Sequence, residues 1–163
     1  MGQDYLFNSA SGIKLNLYQV IKEIMGFIQL DKERVYKLII GTDSDLNHND
    51  KKAADFVTAI VIRRTGNGGR YFWRHVKFYP VYNLRNRILQ EVLFSLEVAK
   101  NLLLVLKNSG GPEFQLEIHI DVGENGETRT MIQELVSIIR ANNFEAKTKP
   151  DSYAASKVAD RHL

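Results

Sequence analysis

The stretch Leu38-Ile39-Ile40-Gly41-Thr42-Asp43-Ser44-Asp45 decides how the chain folds. Residues 35–40 are mostly branched and apolar, the composition of a strand buried in a pleated sheet. An acid follows at once. An ionised carboxylate in apolar surroundings is too costly to keep unless it is hydrogen-bonded, paired or bound to a cation. Asp43 therefore calls for a partner, or else Thr42, Asp43 and Ser44 merely end the strand in a turn, for which Asp and Ser are ordinary residues. These eight residues alone do not separate the two.

Outward from this strand, Leu17, Ile21, Ile24 and Ile28 recur at helical spacing and predict a helix over residues 16–29. The polar arm before it, residues 1–14, reads as irregular chain that docks by Tyr5, Leu6 and Phe7. Beyond the polar loop at 46–55, strands over 56–64 and 70–79 flank the turn Gly66-Asn67-Gly68-Gly69 and so form an antiparallel hairpin. Asn83 caps a long helix that runs to residue 108, where Gly110-Gly111-Pro112 stops it. Residues 114–122 alternate as a strand, with Leu116, Ile118 and Ile120 on one side and Glu117, His119 and Asp121 on the other. A helix over 128–142, a short strand over 144–148 and an alanine-rich helix over 152–162 complete the chain. The order predicts one α/β domain over residues 1–163, with an arm and helix (1–34) and a core (35–163). Its sheet is mixed and five-stranded, three antiparallel strands followed by β-α-β-α-β-α, and is flanked by helices.

A chain of 163 residues, 44% of them hydrophobic, can bury a core of its own. A formal net charge of +3 is too small an excess to demand a nucleic-acid partner by itself. The absence of cysteine excludes a disulfide framework and a thiolate metal site, and suits a reducing cytosol. Met1-Gly2-Gln3-Asp4-Tyr5-Leu6 lacks the charged-then-apolar pattern of an export signal, and no apolar run approaches the ~20 residues of a membrane span. A cytoplasmic protein with no membrane contact is expected.

The acids fall in a pattern. Asp43 ends the first core strand and Asp121 the fourth. If those strands are parallel neighbours, the two carboxylates lie side by side where open α/β sheets bind ligands. They then repel unless something positive lies between them. In the long helix, Leu84, Ile88, Glu91, Val98, Leu102 and Leu106 follow the helical repeat, so Glu91 interrupts an inward stripe, whereas Glu97 shares a polar face with Asn86, Gln90 and Asn101. Asp151, before the last helical run, is a natural N-cap that can also turn toward the site. Asp160 lies about 13 Å further along a regular helix and is expected in surface ion pairs with Arg161 or Lys157. Asp43, Glu91, Asp121 and Asp151 offer hard oxygen ligands, which favour Mg²⁺ or Mn²⁺ over Zn²⁺. Two such ions about 3.5–4 Å apart can drive phosphodiester hydrolysis.

In strand order and acid placement the chain resembles the ribonuclease H-like superfamily. More narrowly, Ile40-Gly41-Thr42-Asp43-Ser44, Phe56-Val57-Thr58-Ala59-Ile60, the segment from Asp121 through Gly123-Glu124-Asn125-Gly126 to Arg129, and Lys149-Pro150-Asp151-Ser152-Tyr153-Ala154-Ala155-Ser156 look like the YkuK-like family of bacterial proteins, predicted ribonuclease H-related nucleases. The resemblance spans nearly the whole chain. It implies a metal-dependent nuclease with catalytic and metal-binding Asp43, Glu91, Asp121 and Asp151. The narrower family usually has a glutamine after Thr-Asp-Ser; here stands Asp45, which could ligate as a fifth acid or replace Asp43. The basic helical protrusion by which classical members hold RNA/DNA hybrids has no counterpart, so hybrid specificity is not implied.

Nucleic acid, RNA or DNA, would then be held by Arg63, Arg64, Arg70, Arg74, Lys77, Arg85 and Arg87, interleaved with Tyr71, Trp73, Phe78, Tyr79 and Tyr82, since basic groups track phosphates and aromatic faces stack on bases. The same aromatics also suit a core, and the arginines an edge strand's solvated face. His119, on the face of Asp121, could position water or a scissile phosphate, or could simply be packed and hydrogen-bonded. Two other functions are open: a non-catalytic module that binds nucleic acid or protein, and a nucleotide-dependent phosphotransferase suggested by the acid-glycine loop at 121–126.

Overall fold

Residues 36–46 are strand throughout, so Thr42, Asp43 and Ser44 are not a turn but the far half of a buried ladder. The structure, a computed structural model, describes residues 5–112 and 114–163. The reading of Met1 to Asp4 lies outside them. Seven strands form one mixed sheet: β1 (Phe7–Ser9), β2 (Lys14–Leu15), β3 (Tyr36–Leu46), β4 (Ala54–Arg64), β5 (Gly69–Phe78), β6 (Leu116–His119) and β7 (Glu145–Lys147), in the spatial order β2-β1-β5-β4-β3-β6-β7. The helices are α1 (Leu17–Gln29), α2 (Leu84–Asn108) and α3 (Ile132–Ala141). The C-terminal helical segment is π-helical over Ala154–Ala159 and 3-10 over Asp160–His162.

The expected hairpin is β4-β5, and β3 does lie between antiparallel β4 and parallel β6. Two strands more than the expected five come from the arm, read above as irregular. Phe7 pairs with Leu15 inside it, and Asn8 and Ser9 pair with Trp73 and Phe72 on β5. The physical reason is the edge: without the arm, β5 would offer a row of unpaired backbone groups. Phe7, wholly buried, anchors the added strands. β6 is shorter than residues 114–122, because its pairing with β3 ends at Gly41 opposite His119. The chain then leaves the sheet carrying Asp121 beyond it.

Period-two alternation sorts the core into two layers. Leu38, Ile40, Ile60, Ile62, Leu116 and Ile118 pack with the apolar faces of α1, α2 and α3. Ile39, Val57, Ala59 and Val61 pack instead with Ala154 and Ala159 of the C-terminal segment. Each fully buried aliphatic side chain contributes about 1.5–3 kcal/mol. Local signals agree with the packing at the helix starts. Asn16 and Gln19 form a reciprocal capping box at α1, and the Asn83 side chain accepts from the Asn86 N–H at α2.

Gly41 sets how closely the C-terminal segment lies on the sheet. A Cβ there would stand 2.4 Å from the Ala155 nitrogen and 2.7 Å from the Ala154 carbonyl carbon. Both are backbone atoms that cannot swing aside. Gly41→Ala should therefore destabilise the protein by about 1–3 kcal/mol, read as a fall of several degrees in the thermal midpoint. Gly26→Ala, inside α1 with nothing within 4 Å of its Cβ, should instead raise stability by about 0.5–1 kcal/mol. Equal midpoints for wild type and Gly41→Ala would show that the segment is not held by this contact.

Candidate active site

Asp43 lies on the β3 face that meets the C-terminal segment, and α2 covers the other face. Between β3 and α2 runs a buried row of hydroxyls: Thr42 Oγ1 lies 2.8 Å from Thr58 Oγ1 and 2.7 Å from Ser95 Oγ. One residue pair further on, the Ser44 hydroxyl donates to Glu91 Oε1 at 2.5 Å. Arg87, one helical turn before Glu91, donates through Nη1 to the Ser44 carbonyl at 2.8 Å. Glu91 is 3% exposed, as its place in the apolar stripe predicts, while Glu97 is exposed. Its second oxygen, Oε2, is buried without a hydrogen bond.

Asp43 Oδ1 accepts from the Ser44 N–H. Burial is the main cause that raises its pKa from 3.8 to about 7, against that hydrogen bond and with help from the negative charges of Asp121 and Asp160. Burial likewise pushes the Glu91 carboxyl well above its ordinary range, against the Ser44 hydroxyl and Arg87, with repulsion from Asp43 and Asp121 adding to it. Asp121 Oδ1 is also buried without a hydrogen bond. The Lys149 ammonium stands 3.2 Å from it, near enough for charge attraction but off hydrogen-bonding geometry. Asp43, Glu91 and Asp121, drawn from three distant parts of the chain, thus feel one another's charge.

Asp151 is not with them. It is exposed and lines a cleft with Lys37 and Lys147 toward the start of β3. It also caps no helix: the helical segment starts at Tyr153, and the Asp151 side chain accepts none of its backbone N–H groups. Asp160, expected in surface ion pairs, is exposed but lies near enough to Asp43 for its negative charge to help raise the Asp43 pKa. Among the described residues it makes no ion pair with Arg161 or Lys157. Ala154 and Ala155 sit over Gly41, so the chain passes along β3 and reaches Asp43 only some residues later. The π-helical path, which a regular 1.5 Å rise does not describe, hid this from the sequence. The end of the segment is fixed by His162, whose ring stacks on Trp73 at 4.2 Å and 12°.

The remaining expected residues are dispersed. Asp45 accepts from the Leu46 N–H and lines a separate recess with Asp55 and His75, themselves paired at 3.0 Å. His119 is buried. Its Nδ1 accepts from the Ala154 N–H and its Nε2 lies 3.1 Å from Glu117 Oε2, so both ring nitrogens are engaged. Arg64 and Arg70 lie over the Phe27 ring and Arg74 over Tyr5. Arg85 is tied to Glu134 and Arg87 to Ser44. Lys77 is exposed opposite Asp55, and Arg63 faces the cleft that holds Asp151. Trp73 and Phe78 pack against protein rings rather than open solvent.

Because the Asp43 pKa is higher folded than unfolded, the native state holds the extra proton between about pH 4 and 7. Stability without metal is then fullest below pH 4 on this account and falls as pH rises to about 7. Asp43→Asn keeps the acceptor for the Ser44 N–H and removes the titration. Its denaturant midpoint should equal or exceed wild type at pH 7.5, with a flatter dependence between pH 4.5 and 7.5. A variant that unfolds at both pH values would mark Asp43 as a structural residue.

The comparisons bear on the arrangement as a whole. A family model described as Ribonuclease H-like matches residues 19–163, a span holding β3, α2, β6 and the C-terminal segment. The uncharacterized protein YkuK of Bacillus subtilis (strain 168) is 34% identical over 175 aligned positions, covering 99% of this chain and 98% of the relative. No solved structure matches. With the mixed sheet and these two matches, the chain belongs to the ribonuclease H-like family, among YkuK-like proteins.

Proposed function

We propose that this protein is a nuclease that hydrolyses phosphodiester bonds of RNA or DNA, using two divalent ions, Mg²⁺ or Mn²⁺, held by Asp43, Glu91, Asp121 and Asp160. One observation carries the reading. Glu91 Oε2 is buried without a hydrogen bond, and Asp121 Oδ1 is buried with only the Lys149 ammonium near it, beside an Asp43 whose pKa is raised by burial and by its acidic neighbours. Buried polar atoms are seldom left unmatched without a reason. Hard oxygen donors that repel one another suit a hard cation, which removes both the repulsion and the desolvation cost. Asp160 enters the set in place of Asp151 because it is the acid that reaches Asp43.

Bound there, the ions would supply an activated water and charge stabilisation at the leaving oxygen. The protein's own part is positional. Arg87 holds the β3 backbone at Ser44, the Ser44 hydroxyl orients Glu91, and Asp43 gives up its proton near pH 7 to become a ligand. A non-catalytic module that binds nucleic acid or protein is the second reading. It is favoured by the finding that, among the described residues, no three Asp, Glu or His side chains stand close enough together to hold an ion in this conformation.

End-labelled single strands, duplexes, RNA/DNA hybrids and junctions, incubated with Mg²⁺, Mn²⁺ or EDTA, separate the two. Cleavage should require metal and fall by about 10² or more in Asp43→Asn and Asp160→Asn, while Asp151→Asn stays within about threefold of wild type. The rate should rise with pH through about 7 as Asp43 ionises. Folded wild type that cuts nothing would favour the binding module, and an Asp151→Asn loss with Asp160→Asn active would reverse the assignment of the fourth acid. Thermal midpoints offer a check without turnover: Mn²⁺ should raise the wild-type midpoint more at pH 8 than at pH 5, and should not do so in Asp43→Asn.

A further inference from the structure

At the other end of β3 from Asp43, a cleft of about 520 Å³ opens between β6, β7 and the start of the C-terminal segment. Lys37, Arg63, Lys147 and Lys157 line it, against two carboxylates, Glu117 and Asp151. We infer that this cleft binds a phosphate-bearing anion, at a site separate from the acidic cluster. This does not rest on the nuclease reading.

The charges decide it. Glu117 is nearly buried, and its charge is already matched by Lys37 Nζ at 3.1 Å and His119 Nε2 at 3.1 Å. Burial pushes the Glu117 carboxyl up, but those two hydrogen bonds outweigh it and leave its pKa below the ordinary value. His119 is held from both sides, by Glu117 at Nε2 and by the Ala154 N–H at Nδ1. Lys147 pairs with Glu145 at 2.9 Å, an exposed contact that salt screens. Among the described residues neither Arg63 nor Lys157 has a carboxylate within ion-pair distance. Arg63 and Lys157 therefore face the concavity without ion pairs, against the one carboxylate Asp151, so the lining keeps a net positive charge where low-dielectric walls focus the field.

The cleft is also built rather than incidental. The Arg63 guanidinium lies over the Tyr153 ring, 5.3 Å from its centroid. The Tyr153 ring meets His119 edge-on at 4.8 Å, and His119 is fixed from both sides by Glu117 and the Ala154 N–H. The buried Glu117–His119 pair thus supports the wall on which Arg63 rests. A cation held in place loses less freedom on binding, and a planar guanidinium suits two phosphate oxygens at once. A phosphate group, whose several oxygens can accept from the Arg63 fork and the Lys157 ammonium at once, matches these donors better than a single carboxylate. It could be a free nucleotide or oligophosphate, or a phosphate of a nucleic-acid strand.

Calorimetric titration of the full chain with sodium tripolyphosphate, in EDTA so that no metal takes part, tests this directly. Wild type should show saturable one-site binding. The double variant Arg63→Gln/Lys157→Gln, both exposed and so compatible with folding, should bind about tenfold more weakly or worse. Lys14→Gln, on the arm, should match wild type. In a second arm, a fluorescent single strand displaced by tripolyphosphate identifies strand phosphates as the source, and a strand that stays bound identifies a free one. No saturable binding to wild type, or equal affinity in the double variant, overturns the site whatever the cleavage assays give.

Discussion

Burying a charge-bearing strand end constrains everything around it. β3 is covered on both faces, yet Asp43 sits within its paired length rather than past it. Its half-buried carboxyl loses much of its hydration there, so it holds its proton to about pH 7. Glu91 is buried deeper still and is pushed up likewise, and Glu91 and Asp121 each leave one buried oxygen without a hydrogen-bond partner. A folded protein tolerates such a cluster only where the surrounding packing is strong enough to hold it.

That packing differs on the two faces of β3. Toward α2 it is polar and specific: Thr42 bridges Thr58 and Ser95, and the neighbouring Ser44 hydroxyl donates to Glu91. Toward the C-terminal segment it is small and tight, with Gly41 under Ala154 and Ala155. The first arrangement sets the direction of a side chain and the second the distance of a backbone. Together they allow acids from the middle and the end of the chain to meet at one strand.

Much of this could be read from residue order. The helical spacing that buries Glu91 and frees Glu97, the Asn caps, and the parallel placement of Asp43 and Asp121 all follow from local periodicity and strand alternation. What escaped the sequence depends on contacts that no local pattern encodes. The arm becomes two strands because β5 needs an edge partner, and its few residues carry no long alternation. Asp160 rather than Asp151 is the acid felt at Asp43, because Ala154 and Ala155 already lie over Gly41 and the chain comes level with Asp43 only later. The arginines near the hairpin looked like one patch in the sequence. Alternation and helix phase instead send Arg64, Arg70 and Arg74 to aromatic rings, Arg85 to Glu134 on α3, Arg87 to the Ser44 carbonyl on β3, and Arg63 to the far cleft. The Thr42–Ser95 contact was hinted at by Ser95 standing four residues from Glu91, on the same helical face.

Trp73 is the chain's one tryptophan, and its indole is in face-to-face contact with His162, two residues beyond Asp160. Its emission is therefore an internal gauge of the very segment that brings the fourth acid to β3. Quenching by the stacked imidazole would report a docked C-terminus, and brightening its release. The protein carries its own optical readout of whether the acidic cluster is assembled, without a label and without a substrate.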